Sequence, residues 1–201
     1  MEKTNHSIGI KTPISDSQIR ELKVGDVVYV TGILVTARDQ AHKRMIRFIE
    51  EGTEMPIDLD GLAIYHCGPL VKRVNSKWFV VAAGPTTSMR MEPFQSEIIR
   101  CFNVRLIIGK GGMGRETEKA MSEHGAAYGA YVGGAAVLAA KSIKNVTLVE
   151  WLDLGTPEAL WAFEVERFGP LIISIDAHGG NLYTEVLRNA EKNAEKHFYR
   201  G

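Results

Sequence analysis

The stretch VRLIIGKGGMGRETEKAMSEHG, residues Val104–Gly125, decides the fold class. It begins with an apolar run typical of a strand, continues through a glycine loop at Gly109–Gly114, and ends in a helical pattern that Gly125 stops. A second helix is predicted just before it in MEPFQSEIIRCFN, where Pro93 suits a first helical turn, and the strand-like run WFVVAAGP precedes that helix. Strand, helix, strand and helix in this order predict a parallel pair of strands with a right-handed crossover.

Further strands and helices are predicted on both sides of this unit. KVGDVVYVTGILVTA predicts two short strands around Gly32, and QAHKRMIRFIEEG predicts a helix that Asp39 can cap and Gly52 stops. LAIYHCGPLV, LWAFEVERF and PLIISID are strand-like, and an amphipathic helix is expected from about Tyr183 to Phe198. The sequence contains no repeats and no clear linker. We therefore predict one α/β domain over residues 1–201, with a parallel βαβ core plus additional antiparallel strands.

Composition and cysteine usage exclude several classes of protein. Lys plus Arg and Asp plus Glu balance at 24 each, so no overall charge favours nucleic acid or anionic lipid as a partner. No apolar stretch reaches the roughly 18–20 residues that a membrane span needs, and the first residues lack the pattern of a signal peptide. Cys67 and Cys101 are far apart in the chain and resemble no metal pair. A cytoplasmic, thiol-reduced protein that binds no metal itself is expected.

Two loops contain most of the candidate site. GPTTSMR, residues 84–90, follows one predicted strand, and GKGGMG, residues 109–114, follows the next. Ligands in parallel sheets gather at the carboxyl ends of strands, so both loops are expected at one edge, with free backbone N–H groups at a helix start. The side chains of that edge would be Thr86, Thr87, Ser88, Arg90 and Lys110, which suit an anion with several oxygens. Taken alone, GPTTSMR is explained equally well by threonines that cap a helix beside a solvated arginine.

Arg38 and two histidines extend this candidate site. ARDQAHKR places Arg38 and His42 four residues apart, on one face of the predicted helix. A cation at a helix N-terminus opposes the helix dipole, so Arg38 indicates an external reason such as a bound anion. His178 in SIDAHGGNLY follows another predicted strand and could lie at the same edge, although a structural or merely exposed histidine is an equal alternative.

The glycine loop also admits a different function. GKGGMG satisfies the G-x-G-x-x-G pattern through Gly109, Gly111 and Gly114, which makes a dinucleotide-binding module the main alternative. That motif also needs an acidic residue about twenty positions further on to hold a ribose. The corresponding region reads YGAYVGGAAVL and contains none. A P-loop is excluded because no Gly-Lys-Ser/Thr ends the glycine run.

Six segments together resemble one known family of enzymes. They are TGILVTARDQAHKRM, IYHCGPLV, GPTTSMRME, IIGKGGMG, LGTPEALWAFEVERFGPLIISID and HGGNL, and they span about Val24 to about Leu182. In this order they resemble the β subunit, or C-terminal half, of the iron–sulfur hydro-lyases that comprise class I fumarases and L-(+)-tartrate dehydratases. The resemblance implies a swivelling β/β/α domain. Because two separated cysteines cannot build a [4Fe–4S] site, it also implies that a partner α subunit holds the cluster.

The resemblance further implies a reaction and residue roles. The reaction is the reversible removal of water from a 2-hydroxy dicarboxylate, either L-(+)-tartrate or malate, by a hetero-oligomer such as α2β2 that is active only with its α subunit. Thr86 matches the family's proposed catalytic base. The residues that match those binding the substrate carboxylates are Arg38, Arg90 and Lys110. Thr87 and Ser88 are expected as supporting hydrogen-bond donors.

The choice of substrate depends on small differences within the motifs. Ser88-Met89 stands where fumarases commonly have Ala-Gly, so the resemblance favours the tartrate dehydratase branch. Tartrate has one more hydroxyl than malate and needs one more polar partner, for which Ser88 and His178 are candidates. A non-catalytic assembly subunit that stabilises an enzyme partner is the remaining alternative.

Overall fold

The structure is a computed structural model that describes residues 7–198. Its strands are β1 (Ile8–Lys11), β2 (Val27–Thr36), β3 (Ala63–Tyr65), β4 (Leu70–Val74), β5 (Lys77–Ala82), β6 (Leu106–Gly109), β7 (Ala127–Ala130), β8 (Ile143–Glu150) and β9 (Leu160–Ile175). Its helices are α1 (Asp16–Glu21), α2 (Asp39–Glu51), α3 (Glu92–Phe102), α4 (Arg115–His124), α5 (Ala136–Ser142) and α6 (Leu182–Phe198). None of the helices within this described part is long and apolar enough to cross a membrane.

Seven strands form the main sheet in the order β1–β2–β3–β6–β7–β9–β8, and β2 pairs with β9 as well. The pairs β2–β3, β3–β6 and β6–β7 are parallel, whereas β7–β9 and β9–β2 are antiparallel. Five strands therefore close into a ring. The predicted α/β class, with a parallel core and additional antiparallel strands, is confirmed.

Two apolar cores lie on the two faces of these strands. Alternate residues of β3 divide between them, because Ala63 and Tyr65 belong to one core and Ile64 belongs to the other. The same alternation separates Leu106 from Ile107 in β6. Helices α2, α3 and α4 cover the second core. Since the central strands are buried on both sides, they are continuously apolar in sequence.

The strand before GPTTSMR lies outside the main sheet. β5 pairs with β4 in a separate two-stranded antiparallel sheet, and β6 lies between β3 and β7. The predicted parallel pairing of WFVVAA with the strand of the glycine loop is therefore wrong. The physical reason is burial: β5 is more exposed at every second residue, as in a ribbon with one covered face, whereas β3 is buried throughout and fills the central position.

Other boundaries also differ from the sequence prediction. The two short strands predicted around Gly32 are one strand, β2, whose pairing with β9 shifts register on either side of Val30. LWAFEVERF and PLIISID likewise form the single strand β9, and β8 was not predicted. Asp39 does not cap α2, because Arg38 occupies the N-cap and Asp39 is the first helical residue. The predicted stop at Gly125 is confirmed, since this residue has left-handed backbone at the end of α4.

Candidate functional site

The carboxyl ends of three parallel strands bring the candidate residues together. Thr36 of β2, Tyr65 of β3 and Ile108 of β6 lie in register, so the residues that follow them emerge at one edge. Arg38 follows β2 and Lys110 follows β6. This is the edge at which ligands of parallel sheets bind.

The loop GPTTSMR crosses this edge and pairs with the glycine loop. The backbone N–H of Thr86 donates to the carbonyl of His66 over 2.7 Å, and the N–H of Lys110 donates to the carbonyl of Thr86 over 3.3 Å. The N–H of Ser88 donates to the carbonyl of Lys110 over 2.9 Å. Thr87 and Lys110 thereby form a short parallel bridge. The two loops meet as expected. They meet because GPTTSMR pairs directly with the glycine loop, and not because the strands before them are neighbours in one sheet.

One carboxylate, that of Asp39, holds two of the candidate cations. Arg90 donates from Nε to Asp39 Oδ1 over 3.0 Å, and a terminal guanidinium nitrogen lies 2.8 Å from Oδ2. Nε of Arg38 lies 3.9 Å from the same Oδ2, and a terminal nitrogen of Arg38 lies 3.2 Å from Glu158. Glu158 reaches this edge because it precedes the antiparallel strand β9. The unfavourable position of Arg38 at a helix start is thus offset by carboxylates of the chain itself.

Lys110 and the two threonines are accessible from solvent. Lys110 and Thr87 are exposed, and Thr86 is partly exposed. None of the ion pairs found among the described residues includes Lys110. An ammonium group and two hydroxyl residues therefore lie beside the pair of arginines, which is a combination that suits a ligand with several anionic oxygens.

Ser88 lies beneath the loop and has no exposed surface. Its hydroxyl is 2.9 Å from Nδ1 of His66 and 2.8 Å from the hydroxyl of Tyr128. The hydroxyl of Ser88, which was expected to face the substrate, is therefore already bonded to groups of the protein. Thr86 and Thr87 are the residues of this triplet that solvent reaches.

A buried polar chain, which sequence reasoning missed, continues from Ser88. His66, Gln95 and His42 are fully buried, and one atom of the Gln95 amide lies 2.9 Å from Nε2 of His66 and 3.1 Å from Nε2 of His42. Burial lowers the pKa of His66 to about 3 and lowers the pKa of His42 as well, so both rings are neutral. The one available signal was Gln95, a polar residue on the apolar side of the predicted helix α3.

The glycine loop leads into a helix start that is already occupied. The carboxylate of Glu92 accepts from the N–H of Gly114 over 2.7 Å, from the N–H of Thr117 over 3.3 Å and from the hydroxyl of Thr117 over 2.7 Å. Two of the N–H groups at this helix start, those of Gly114 and Thr117, are therefore not free as predicted. Glu92 fills the position in which a dinucleotide motif would bind a pyrophosphate.

The glycines of this loop are explained by close packing inside the chain. A Cβ atom at Gly109 would lie 2.0 Å from the hydroxyl oxygen of Ser88, and one at Gly114 would lie 2.6 Å from the carboxyl group of Glu92. The pattern G-x-G-x-x-G needs no nucleotide to account for it.

His178 lies away from this edge, contrary to one of the two alternatives considered for it. β9 runs antiparallel to β7, so its carboxyl end lies at the opposite edge of the sheet. Nε2 of His178 donates to the carbonyl of Arg20 over 2.7 Å, and the N–H of His178 donates to Asp176 over 2.9 Å. The expectation that His178 contacts the substrate at the candidate site is therefore wrong.

The sequence pattern of the family described as "Fumarase C-terminus" matches residues 1–186. The chain belongs to this family. This chain is 47% identical over 176 residues to the L(+)-tartrate dehydratase subunit beta of Escherichia coli, and the match covers 88% of this chain and 86% of the relative. It is 45% identical over 174 residues to a putative L(+)-tartrate dehydratase subunit beta of Methanocaldococcus jannaschii, covering 86% and 89%. A putative class I fumarate hydratase of Geobacillus stearothermophilus is 44% identical over 184 residues, covering 91% of this chain and 35% of the relative. The predicted family is confirmed.

The cysteines of this fumarase C-terminus chain do not fit an iron–sulfur cluster, which requires several thiolates that converge. Cys67 is fully buried, and burial raises the pKa of its thiol to about 12. Cys101 is an exposed residue of α3. Across the described residues there is no group of three or more His, Cys, Asp and Glu side chains placed to hold a metal ion.

Proposed function

We propose that this chain is the β subunit of a two-subunit hydro-lyase that reversibly removes water from a 2-hydroxy dicarboxylate. In this proposal Thr86 is the catalytic base, and the receptors for the substrate carboxylates are Arg38, Arg90 and Lys110. The observation that supports it most directly is the pairing of Thr86 with Lys110 at the edge where Arg38 and Arg90 share Asp39. The names of its relatives, tartrate dehydratase and fumarate hydratase, describe this class of reaction.

Binding of the substrate follows from the charges at the edge. A dicarboxylate has two anionic groups, and planar guanidinium groups bind carboxylates through two parallel hydrogen bonds. Arg90 already contacts both carboxylate oxygens of Asp39, with a hydrogen bond from Nε and a terminal nitrogen 2.8 Å from Oδ2, which supports a carboxylate-binding role. Lys110 provides the third positive charge and is exposed.

Removal of the proton requires an activated Thr86. A threonine hydroxyl is a weak base at its ordinary pKa, and nearby positive charge favours its deprotonated form. Once the partly exposed Thr86 hydroxyl has passed its own proton to solvent, Oγ1 would take the proton from the carbon next to a carboxylate, and the electron pair left behind would delocalise into that carboxylate. The arginines and Lys110 stabilise this charge, which is the electrostatic part of catalysis. The electron pair then forms the double bond as the neighbouring hydroxyl departs.

Departure of the hydroxyl needs a Lewis acid, and the described residues of this chain hold no metal site. In the proposed enzyme, a [4Fe–4S] cluster held by the partner subunit would supply that Lewis acid. The residues of this chain bind and orient the substrate and move its proton. The described part of the chain holds no cluster-binding site, and two relatives are named as β subunits, both of which support a separate α subunit.

For the substrate, we propose L-(+)-tartrate in preference to malate. Two relatives that this chain matches over most of their length are named as tartrate dehydratases. The extra hydroxyl of tartrate needs a polar partner, and exposed Thr87, which bridges to Lys110, is available for it. The test is an assay of the reconstituted two-subunit enzyme with L-tartrate and with malate. A large preference for malate would overturn the tartrate assignment, and activity of the chain alone would overturn the shared site.

A further inference from the structure

The buried polar chain joins the three segments that form the candidate site. His42 contacts the carbonyl of Arg38 through Nδ1 over 2.9 Å. The carbonyl of His66 accepts the N–H of Thr86 over 2.7 Å. Gln95, on α3, is the residue between the two rings. A change at Gln95 therefore reaches both a proposed carboxylate receptor and the proposed base.

The positions of the ring protons in the buried polar chain can be assigned from the partners of His42. A neutral imidazole has one N–H, and the carbonyl of Arg38 can only accept, so the proton of His42 is on Nδ1. Nε2 of His42 is then an acceptor, and it must face a donor. The orientation that presents the oxygen of Gln95 to Nε2 leaves an acceptor facing an acceptor and leaves the buried amide nitrogen without a partner.

A half turn of the Gln95 amide removes the contact between two acceptors, and it leaves the amide oxygen instead of the nitrogen without a partner, which is the less costly of the two. The half turn exchanges the amide oxygen and nitrogen without moving any other group. The nitrogen then has two N–H donors for two acceptors, Nε2 of His42 and Nε2 of His66. His66 consequently has its proton on Nδ1 and donates to the hydroxyl of Ser88 over 2.9 Å.

We propose that Gln95 is a positioning residue whose amide donates one N–H to His42 and the other to His66. Through these rings it fixes Arg38 relative to Thr86, and this role rests on the proposed function. Gln95 touches no substrate, because it is fully buried. The contacts would instead define the distance between a carboxylate receptor and the base, on which proton transfer depends steeply.

The first test concerns the tautomers in the full-length chain. Long-range proton–nitrogen correlations of the histidine rings should show the Nδ1–H form for both His42 and His66. His178 is an internal reference of opposite form, since its Nε2 donates to the carbonyl of Arg20 over 2.7 Å. An Nε2–H form at either buried ring would overturn the assignment of Gln95 as donor. This measurement needs neither the partner nor a substrate, so its result is independent of the proposed function.

The second test uses Gln95→Met, which keeps the length of the side chain and removes both hydrogen bonds. In the two-subunit enzyme we expect kcat to fall about 10- to 100-fold through misplacement of the base, with KM changed by less than about threefold. In the chain alone, the amide of Thr86 should exchange with solvent at least about tenfold faster, because its acceptor carbonyl is less firmly held. Ile99→Val is the matched control, since Ile99 is also fully buried on α3 but belongs to the apolar core.

The outcomes separate three explanations. Wild-type kcat in Gln95→Met, or unchanged exchange at Thr86, would overturn the positioning role. Equal loss in Ile99→Val would show a general effect of packing in α3 and would overturn it as well. Gln95→Glu keeps the shape, and when its carboxylate is ionised it can only accept, so it should place a proton on Nε2 of a facing ring and lower kcat as Gln95→Met does. A wild-type enzyme inactive on both dicarboxylates would contradict the proposed function, while the tautomer and exchange tests would still decide the role of Gln95.

Discussion

The guanidinium of Arg90 binds the carboxylate of Asp39 through two parallel contacts, Nε to Oδ1 at 3.0 Å and a terminal nitrogen to Oδ2 at 2.8 Å. Asp39 begins α2, so this pair connects the loop GPTTSMR to the helix that follows Arg38. The same carboxylate lies within 3.9 Å of Arg38. In the free chain, Asp39 thus occupies the place between two arginines that we assign to a substrate carboxylate.

Arg90→Lys is expected to weaken substrate binding with little effect on stability. A lysine cannot form the two parallel contacts of a guanidinium, so we expect KM to rise about tenfold, equivalent to about 1.4 kcal/mol. The side chain is 53% exposed, so the free energy of unfolding should change by less than about 1 kcal/mol. Steady-state kinetics of the two-subunit enzyme and urea unfolding measure the two effects.

Arg100→Lys is the control for this substitution. Arg100 is 55% exposed and pairs with Glu97 on α3, outside the candidate site. Its replacement should leave KM at the wild-type value. The carboxylate-binding role of Arg90 would be contradicted if the two variants had the same KM.

Thr86→Val tests the proposed base. Valine keeps the branched shape and removes the hydroxyl, so kcat should fall about 100- to 10,000-fold, the usual contribution of a general base. Thr86→Ser keeps the hydroxyl and should retain most of the wild-type kcat. Size-exclusion chromatography with the α subunit should show an intact complex for both variants. Retained turnover in Thr86→Val would favour the alternative in which the chain is only an assembly subunit.

Local signals in the sequence predicted the edge of the sheet that holds the site. Glycine stops and apolar periodicity located α2, α3 and α4, because these features depend on neighbours along the chain. The pairing of β6 could not be obtained in this way. The run KWFVVA, which is β5, is as apolar as a central strand. Only the structure distinguishes it from a central strand. Every second residue of β5, such as Phe79 and Val81, is exposed, as in a ribbon with one covered face.

The interior of the site depends on contacts that sequence patterns do not reveal. Glu92 caps a helix that begins more than twenty residues further along the chain, and the hydroxyl of Ser88 meets Tyr128 from another strand. The loop GPTTSMR, which Ser88 shares with Thr86 and Thr87, predicts all three side chains at the ligand. Backbone pairing with Lys110 instead turns the side chain of Ser88 into the protein.

Glu92→Ala is expected to destabilise the start of α4. The carboxylate accepts two backbone N–H groups and one hydroxyl there, so its loss should lower the free energy of unfolding by about 0.5–2 kcal/mol, as for other helix caps. Glu116→Ala is the control, since Glu116 lies exposed in the same first turn. Urea unfolding of both variants measures the difference. Dinucleotides should leave the Tm of the wild-type chain unchanged, and a clear rise would restore the nucleotide-binding alternative.

Gly109→Ala is expected to disrupt the junction of the two loops. The added methyl group would lie 2.0 Å from the hydroxyl oxygen of Ser88, so the Ser88 side chain, which is bonded to His66 and Tyr128, would have to shift. We expect a loss of about 1–3 kcal/mol in the free energy of unfolding, as for other overpacked sites. Gly9→Ala is the matched control in β1, where a Cβ would meet nothing within 4 Å. Equal urea midpoints for the two variants would contradict the close approach of Ser88 to β6.

The buried histidines should make the folded chain sensitive to acid. Burial lowers the pKa of His66 from its ordinary value of 6.5 to about 3, and burial also lowers the pKa of His42. Between pH 6.5 and 3, the unfolded chain binds protons that the folded chain excludes, so the free energy of unfolding falls as the pH falls through this window. The shift at His66 should remove about 1.4 kcal/mol between about pH 7.5 and about pH 5.5, and the lowered pKa of His42 acts in the same direction.

Urea unfolding at several pH values measures this slope, and His66→Asn identifies its source. The variant lacks one of the two buried rings, so its free energy of unfolding should decline by about 1.4 kcal/mol less than that of the wild type over the same pH range. Ile99→Val removes only buried apolar volume, so it should lower stability by about 0.5–1.5 kcal/mol at every pH and keep the wild-type slope. A His66→Asn chain with the wild-type slope would show that the acid sensitivity arises elsewhere, and a flat wild-type profile would show that the rings take up protons as readily in the folded chain as in the unfolded one.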